Sequence, residues 1–154
     1  MPITQLADRD SFGTHPKLAK ASMNFKELIT ALEEKNIPER QENKINEIIS
    51  GLNNFQGPAD AHVKSIKAGQ KAILQILEKE LELVPIGHYQ TQWLAIGMAA
   101  FGLPFGVVFG MALDNLAFLG IGLPIGMALG IAVGNGKDEE AKKKGKQLNF
   151  KNSI

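Results

Sequence analysis

The chain has 154 residues, which is enough for one ordinary domain or two small units. Its 17 Lys and Arg nearly balance its 16 Asp and Glu, yet Asp114 is the only ionisable residue between positions 93 and 134. Because the chain contains no cysteine, disulfides, thiolate metal sites and cysteine nucleophiles are excluded.

Residues 1–22 show no helical periodicity and contain Gly13, His15 and Pro16, so we expect an irregular segment. The first residues hold acidic groups and lack the apolar run of a cleavable secretory signal. We therefore expect insertion to depend on internal apolar segments, with the N-terminus left in the cytoplasm.

Residues 23–88 predict about three amphipathic helices in the cytoplasm. Asn24 fits an N-cap of the first helix, Pro38 fits the first position of the second, and the third is expected over Ala59–Val84. The residues expected to face inward are Phe25, Leu28, Ile29, Leu32, Ile45, Ile48, Ile49, Leu52, Ile66, Ile73, Leu74, Leu77, Leu81 and Val84. The helices could form a small bundle, pack against sister subunits or lie on the membrane surface. Their mixed Glu and Lys faces argue against the membrane surface.

Residues 89–135 predict a transmembrane helical hairpin with spans at 93–113 and 116–134 and a turn at 114–115. Neither span contains a charge or a Ser, Thr, Asn or Gln, and about 20 apolar residues cross a bilayer. A buried hairpin in a soluble protein is the alternative, but a soluble helix of this length keeps a polar face. A single long bent helix is disfavoured because it would place Asp114 near its middle.

Glycines recur every four residues in both spans. They are Gly102, Gly106, Gly110, Gly122, Gly126, Gly130 and Gly134. The spans also repeat one another, since FGLPFGVVFGMA at 101–112 matches IGLPIGMALGIA at 121–132. Glycine at this spacing forms a smooth groove that lets another helix approach closely. The predicted fold is therefore all-α, a two-helix glycine-zipper transmembrane hairpin with an N-terminal cytoplasmic helical segment.

A stripe of large apolar residues lies about 100° around each helix from the glycines. It consists of Phe101, Phe105 and Phe109 in the first span and Ile121, Ile125 and Leu129 in the second. If the hairpin uses one pairing, other grooves or ridges remain for neighbouring subunits. We expect a homo-oligomer; the alternative is a monomeric hairpin that packs only on itself.

Pro104 and Pro124 fall near the middle of the two spans. Proline removes a backbone donor and clashes with the preceding turn, so each is expected to kink its helix. The kinks are interpreted as structural; hinges or a site at the membrane midplane are the alternative.

Lysines flank both spans and none lies in the connecting turn, so the positive-inside rule places both termini in the cytoplasm. Tyr89 and Trp93 sit where interfacial aromatic anchors are expected. Asp114 and Asn115 then lie on the far side of the membrane. They are expected to cap the hairpin; in a ring of subunits, Asp114 would instead form an acidic collar at a pore mouth.

Residues 136–154 predict a basic cytoplasmic tail, with a short helical extension followed by disorder. Lys142, Lys143 and Lys144 would attract anionic membrane lipid by about 1 kcal/mol each. The alternative is that these lysines only determine topology.

No pattern of catalytic, metal-binding or cofactor-binding residues is present. His15, His62 and His88 have no ligand spacing, and no phosphate-binding loop occurs. A basic, aromatic-bearing surface for nucleic acid is also absent from the sequence pattern. We therefore expect neither an enzyme nor a nucleic-acid-binding protein.

The stretch from Leu94 to Leu148, including KDEEAKKKGKQL after the second span, resembles small bacterial glycine-zipper membrane proteins. Those proteins have repeated GxxxG spans, a short polar turn and a basic tail. The resemblance implies a bacterial inner membrane location and assembly in the membrane, without an assigned activity. The N-terminal helical segment matches no family in this way.

Two functions are consistent with these patterns. The preferred one is a homo-oligomeric membrane scaffold whose cytoplasmic helices serve assembly or recruit a cytoplasmic protein partner. The alternative is an oligomeric channel with a hydrophobic, gating pore, since no polar side chains line the spans. A membrane-damaging pore-former is a third, weaker option.

Overall fold

A computed structural model describes residues 2–7 and 15–153, and within these ranges the regular secondary structure is helical, without a β-strand. The helices are α1 (Pro16–Glu33), α2 (Glu39–Asn53), α3 (Ala59–Leu81), α4 (His88–Gly97), α5 (Leu103–Ala112) and α6 (Leu119–Lys143). A π-helical turn, Met98–Gly102, joins α4 to α5, and a 3₁₀ turn, Leu116–Phe118, precedes α6. The all-α prediction is thus confirmed for the described residues.

The chain divides into two compact units. The bundle unit contains Met1–Pro85 together with Leu148–Ile154, and the apolar unit contains Ile86–Gln147. The bundle unit is therefore built from chain on both sides of the apolar unit, whereas the sequence placed residues 136–154 in one separate tail.

Helix α1 begins earlier than the sequence predicted, so the expectation of irregular chain up to residue 22 is wrong for its last part. Pro16 occupies the first turn, where proline has the required φ and its missing N–H is not needed. The carbonyl of His15 accepts the N–H groups of Leu18 and Ala19, both at 2.9 Å. Asn24 consequently lies inside the helix and is buried, instead of acting as the N-cap. Residues 2–7 have no regular secondary structure, as predicted, and residues 1 and 8–14 lie outside the described ranges.

The core of the bundle unit consists of the apolar stripes of α1, α2 and α3. Buried members of the predicted stripes are Phe25, Leu28, Ile29, Leu32, Ile45, Ile49, Leu52, Ile66, Ile73, Leu77 and Val84. Ile48, Leu74 and Leu81 are partly buried against this core. Period-3.6 spacing of apolar residues thus placed the inward face of all three helices.

The disorder expected for the end of the chain is wrong. Leu148 and Phe150 are buried in the same core as Phe25, and the Leu148 N–H donates to the Val84 carbonyl at 2.9 Å. Sequence periodicity misses this segment because it has no regular secondary structure. Its order comes from contacts with residues more than sixty positions away in the chain.

The apolar unit contains two helical stretches of 25 residues, His88–Ala112 and Leu119–Lys143. Both are long and apolar enough to cross a membrane, with mean hydropathies of 1.9 and 1.5 in their most apolar windows. They overlap the predicted spans, although the second helix continues without interruption past residue 134 to Lys143.

Candidate functional site

The two long helices of the apolar unit contact each other through glycines. Gly97, Gly102, Gly106 and Gly110 of the first stretch face residues of the second in reverse order, so the helices run antiparallel. The seven glycines predicted from the sequence are all buried, namely Gly102, Gly106, Gly110, Gly122, Gly126, Gly130 and Gly134.

The approach of the backbones is close along most of this line. A Cβ atom placed on Gly122 would lie 2.1 Å from the Gly102 carbonyl oxygen, and one on Gly130 would lie 2.2 Å from the Trp93 carbonyl oxygen. At Gly126 the Gly97 oxygen and the Gly102 nitrogen would both be 2.5 Å away. No side chain fits at these positions without moving the facing backbone, so the contact depends on glycine.

Gly97 belongs to the same contact, although its spacing did not reveal it. Its Cβ position lies 2.3 Å from the Gly126 carbonyl oxygen, yet it is five residues before Gly102. In an α-helix, residues five apart point about 140° away from each other. The π turn supplies the correction: the Leu103 N–H bonds the Met98 carbonyl, so five residues complete the turn and Gly97 stays on the glycine face.

Large apolar side chains cover the outside of this helix pair. Among the residues of the spans whose burial the structure describes, only glycines are buried, while Leu103, Val108 and Met111 are 59%, 59% and 77% exposed. The predicted ridge residues Phe101, Phe105, Phe109, Ile121 and Leu129 are exposed and Ile125 is half-buried. This arrangement is the reverse of the bundle unit, where large apolar side chains are inside.

The two prolines have different surroundings. Pro104 follows the π turn and lies in the first turn of α5, whereas Pro124 lies within the continuous helix α6. Both a proline and a π turn are established causes of helix bending. The predicted kinks remain predictions.

The connection between the helices is a tight C-terminal cap. Asp114 has φ 45°, in the left-handed region, and the Asn115 N–H donates to the Gly110 carbonyl at 3.0 Å. The Asp114 N–H donates to the Met111 carbonyl at 3.4 Å, which completes the Schellman pattern. Asn115 Oδ1 then accepts the Ala117 N–H at 2.9 Å and begins the next turn. Both predicted turn residues therefore have specific backbone roles here.

Asp138 closes the other end of the helix pair. Asp138 lies in α6 beside the start of α4. Its carboxylate oxygens accept the N–H groups of Tyr89 (3.1 Å) and Gln90 (2.9 Å). The first N–H groups of a helix lack partners within it, and negative charge there is favourable. Asp138 is 9% exposed. Sequence reasoning assigned it only to the tail, because an acid in a charged run gives no local signal for a cap on another helix.

The predicted interfacial residues lie at this same end. The Lys137 ammonium is 5.4 Å from the centre of the Trp93 ring, within range of a cation–π contact. Tyr89 is half-buried and its ring meets His88 edge to face. Lys142 and Lys143 are exposed in the last turn of α6, and exposed Lys144 pairs with Glu140.

The described residues contain no group of three or more His, Asp or Glu side chains that could hold a metal ion. No family model, no curated protein and no solved structure matches the chain.

Proposed function

We propose that this chain is an integral membrane protein in which the apolar unit crosses the bilayer as a glycine-packed hairpin and anchors the bundle unit. The observation that carries the proposal is the reversed burial of the apolar unit. Exposure of so many Leu, Val, Phe and Met side chains to water is energetically unfavourable, and a contiguous apolar surface of this kind marks a contact with lipid or with protein. In a bilayer the same apolar side chains contact lipid chains of similar polarity, and close packing at the glycines holds the helices together.

The bundle unit contains chain from before and after the apolar unit, which supports a topology with both of these segments on the same side of the membrane. The chain leaves this unit after Pro85 and returns to it at Leu148. If the apolar unit is in the membrane, the number of crossings between these points must be even. Two spans satisfy this condition. The lysines on both flanks favour the cytoplasmic side, with the basic stretch Lys142–Lys144 facing lipid headgroups. The assignment to a bacterial inner membrane rests on the resemblance of residues 94–148 to bacterial glycine-zipper proteins.

Self-assembly into a homo-oligomeric scaffold is the second element of the proposal. The glycine faces contact each other within one chain, so neighbouring chains meet through the outer ridges. Phe101 and Phe105 form a stacked pair with ring centres 6.4 Å apart, which offers a broad apolar surface for a second hairpin. The bundle units are then displayed together at the membrane, where they serve assembly or recruit a protein partner.

The scaffold is favoured over a channel because the two spans provide no polar side chain for a water-filled pore. A channel built from these helices would have a hydrophobic pore that opens by wetting. Ion flux through purified protein in liposomes separates the two: a scaffold gives no flux above empty liposomes.

The test of the proposal begins with membrane extraction by alkaline carbonate, which leaves integral proteins in the pellet, and continues with the mass of the particle in nanodiscs. We expect a pelleted protein and a discrete multimer. The variant Phe101→Ala, Phe105→Ala, Phe109→Ala is expected to yield a monomer. Its matched control changes the exposed residues at the same spacing on the opposite face: Leu103→Ala, Val107→Ala, Met111→Ala.

Release by carbonate would overturn the membrane assignment. A wild-type monomer would overturn self-assembly and leave a hairpin anchor. If the ridge variant and its control retain the same multimer, the Phe ridge is not the contact between chains.

A further inference from the structure

The N-terminal residues 2–7 lie along α2 and are held by two asparagine side chains. Asn46 Oδ1 accepts the Thr4 N–H (2.7 Å), and its Nδ2 donates to the Pro2 carbonyl (3.3 Å). Seven residues later, Asn53 Oδ1 accepts the Ala7 N–H (2.9 Å), and its Nδ2 donates to the Gln5 carbonyl (3.0 Å). Each asparagine thus binds the backbone on both sides of one residue, independently of the side chains that the segment carries.

The residues between these bonds enter the bundle core. Ile3 is 8% exposed and Leu6 is 4% exposed, whereas Thr4 and Gln5 are exposed, and Gln5 Nε2 donates to a Glu33 carboxylate oxygen of α1 at 2.6 Å. The bundle surface along α2 therefore holds this segment by four hydrogen bonds from asparagine side chains to its backbone, by two apolar side chains spaced by three, and by the Gln5–Glu33 hydrogen bond to α1. We call this surface the α2 groove.

The two ends of the chain differ in how they are connected to the neighbouring helix. The C-terminal segment follows α6 closely, because Gly145 and Lys146 are bonded back to the carbonyls of Lys142 and Ala141. Its Asn152 also bonds Gln70, a side chain that is 1% exposed. Eight residues, 8–15, separate the N-terminal segment from α1, and a chain of that length reaches roughly 26–29 Å. This exceeds two helix diameters of about 10–12 Å each.

We infer that the α2 groove is an interface between copies of this chain, occupied in the assembled protein by residues 2–7 of a neighbouring copy. The exchange requires neighbouring bundle units to be anchored side by side within this reach. An exchanged segment makes the same hydrogen bonds and apolar contacts as one bound to its own chain, so only the connection and the local concentration differ between the two forms. This inference rests on the proposed self-assembly and supplies a contact outside the membrane.

Peptide binding tests the groove first. The receptor is the full chain without residues 2–7, and the ligand is a fluorescent peptide of residues 2–10. We expect saturable binding, weakened at least about tenfold when the peptide carries Ile3→Ser and Leu6→Ser, which remove both apolar contacts. The control peptide carries Thr4→Ala, whose side chain is exposed, and should bind like the natural sequence. Absence of saturable binding would overturn the groove as a peptide site.

Exchange between copies is tested by capture in detergent. A tagged receptor without residues 2–7 is mixed with a donor carrying Asn46→Ala and Asn53→Ala, which keeps its own segment but lacks the asparagines that hold it. We expect the receptor to capture this donor several-fold more than a donor that also carries Ile3→Ser and Leu6→Ser. Equal capture of the two donors would overturn exchange.

The particle mass of the wild-type protein separates this failure from failure of the proposed function. A multimer with equal capture of both donors means that assembly uses the membrane helices alone. A monomer means that self-assembly itself is wrong, and the α2 groove then binds only the segment of its own chain.

Discussion

Substitution of Gly122 by alanine is the sharpest perturbation of the helix pair. The added Cβ would lie 2.1 Å from the Gly102 oxygen and 2.3 Å from the Gly106 nitrogen, whereas real Cβ contacts are essentially never under 3.0 Å. Both close atoms belong to the backbone, so rotation of a side chain cannot relieve the overlap. The helices must therefore move apart by about 1 Å along this contact.

The expected cost follows from this separation. A gap of about 0.5–1 Å forfeits roughly a quarter to a half of the dispersion attraction between atoms that lose contact. Overpacking of a fitted interior typically costs about 1–3 kcal/mol, and we expect Gly122→Ala to lower the free energy of helix separation by this amount. Gly120→Ala is the control, because nothing lies within 4 Å of its Cβ position. It should cost nothing, since alanine favours the helix over glycine by about 1 kcal/mol.

Trp93 provides the assay. It is the single tryptophan, and its carbonyl contacts the Cβ position of Gly130 on the facing helix. Its fluorescence, followed while SDS replaces a mild detergent in mixed micelles, should report separation of the helices. The midpoint of Gly122→Ala should fall to a lower SDS fraction than the midpoints of the wild type and Gly120→Ala. Equal midpoints for Gly122→Ala and Gly120→Ala would show that the glycine contact does not hold the helices together.

Three further predictions concern single carboxylates. Asp138→Ala should destabilise the helix pair by about 1–2 kcal/mol in the same SDS titration, because the first turn of α4 loses its cap. Amide hydrogen exchange at Tyr89 and Gln90 should accelerate, and unchanged exchange would contradict the capping role. Asp114→Gly should preserve or raise the stability of the helix pair, whereas Asp114→Val should lower it by about 1–2 kcal/mol. The reason is that Asp114 has a positive φ, which glycine adopts freely and valine does not. Equal SDS midpoints for these two variants would argue against the left-handed conformation at this turn. Hydrogen bonds from the Lys44 ammonium, and secondarily from Gln41, hold the pKa of the exposed Glu80 carboxyl below its usual 4.5. The ionised Glu80 therefore stabilises the folded state above pH 4.5, and this contribution is lost as the pH falls through the lowered pKa. Thermal melting of wild type and Glu80→Gln should therefore differ at pH 6 and converge in acid; a difference independent of pH would contradict the assignment.

Local periodicity predicted the parts of the fold that repeat along one helix. Apolar residues at helical spacing identified the inward faces of α1, α2 and α3, and two uncharged runs identified the helices of the apolar unit. The first boundary failed because Pro16 starts a helix as readily as it interrupts one, and Asn24 resembles an N-cap whether or not it occupies that position.

Composition and spacing by themselves determined that this chain contains two long apolar helices with glycine faces, since burial and helix geometry act on every turn alike. Only the tertiary structure decided the contacts between distant residues. The π turn brings Gly97 onto the glycine face, Asp138 caps a helix 49 positions earlier, and both ends of the chain complete the core of the bundle unit. These features depend on which segments meet in space, and a carboxylate, an asparagine or an irregular segment is compatible with many partners until the fold selects one.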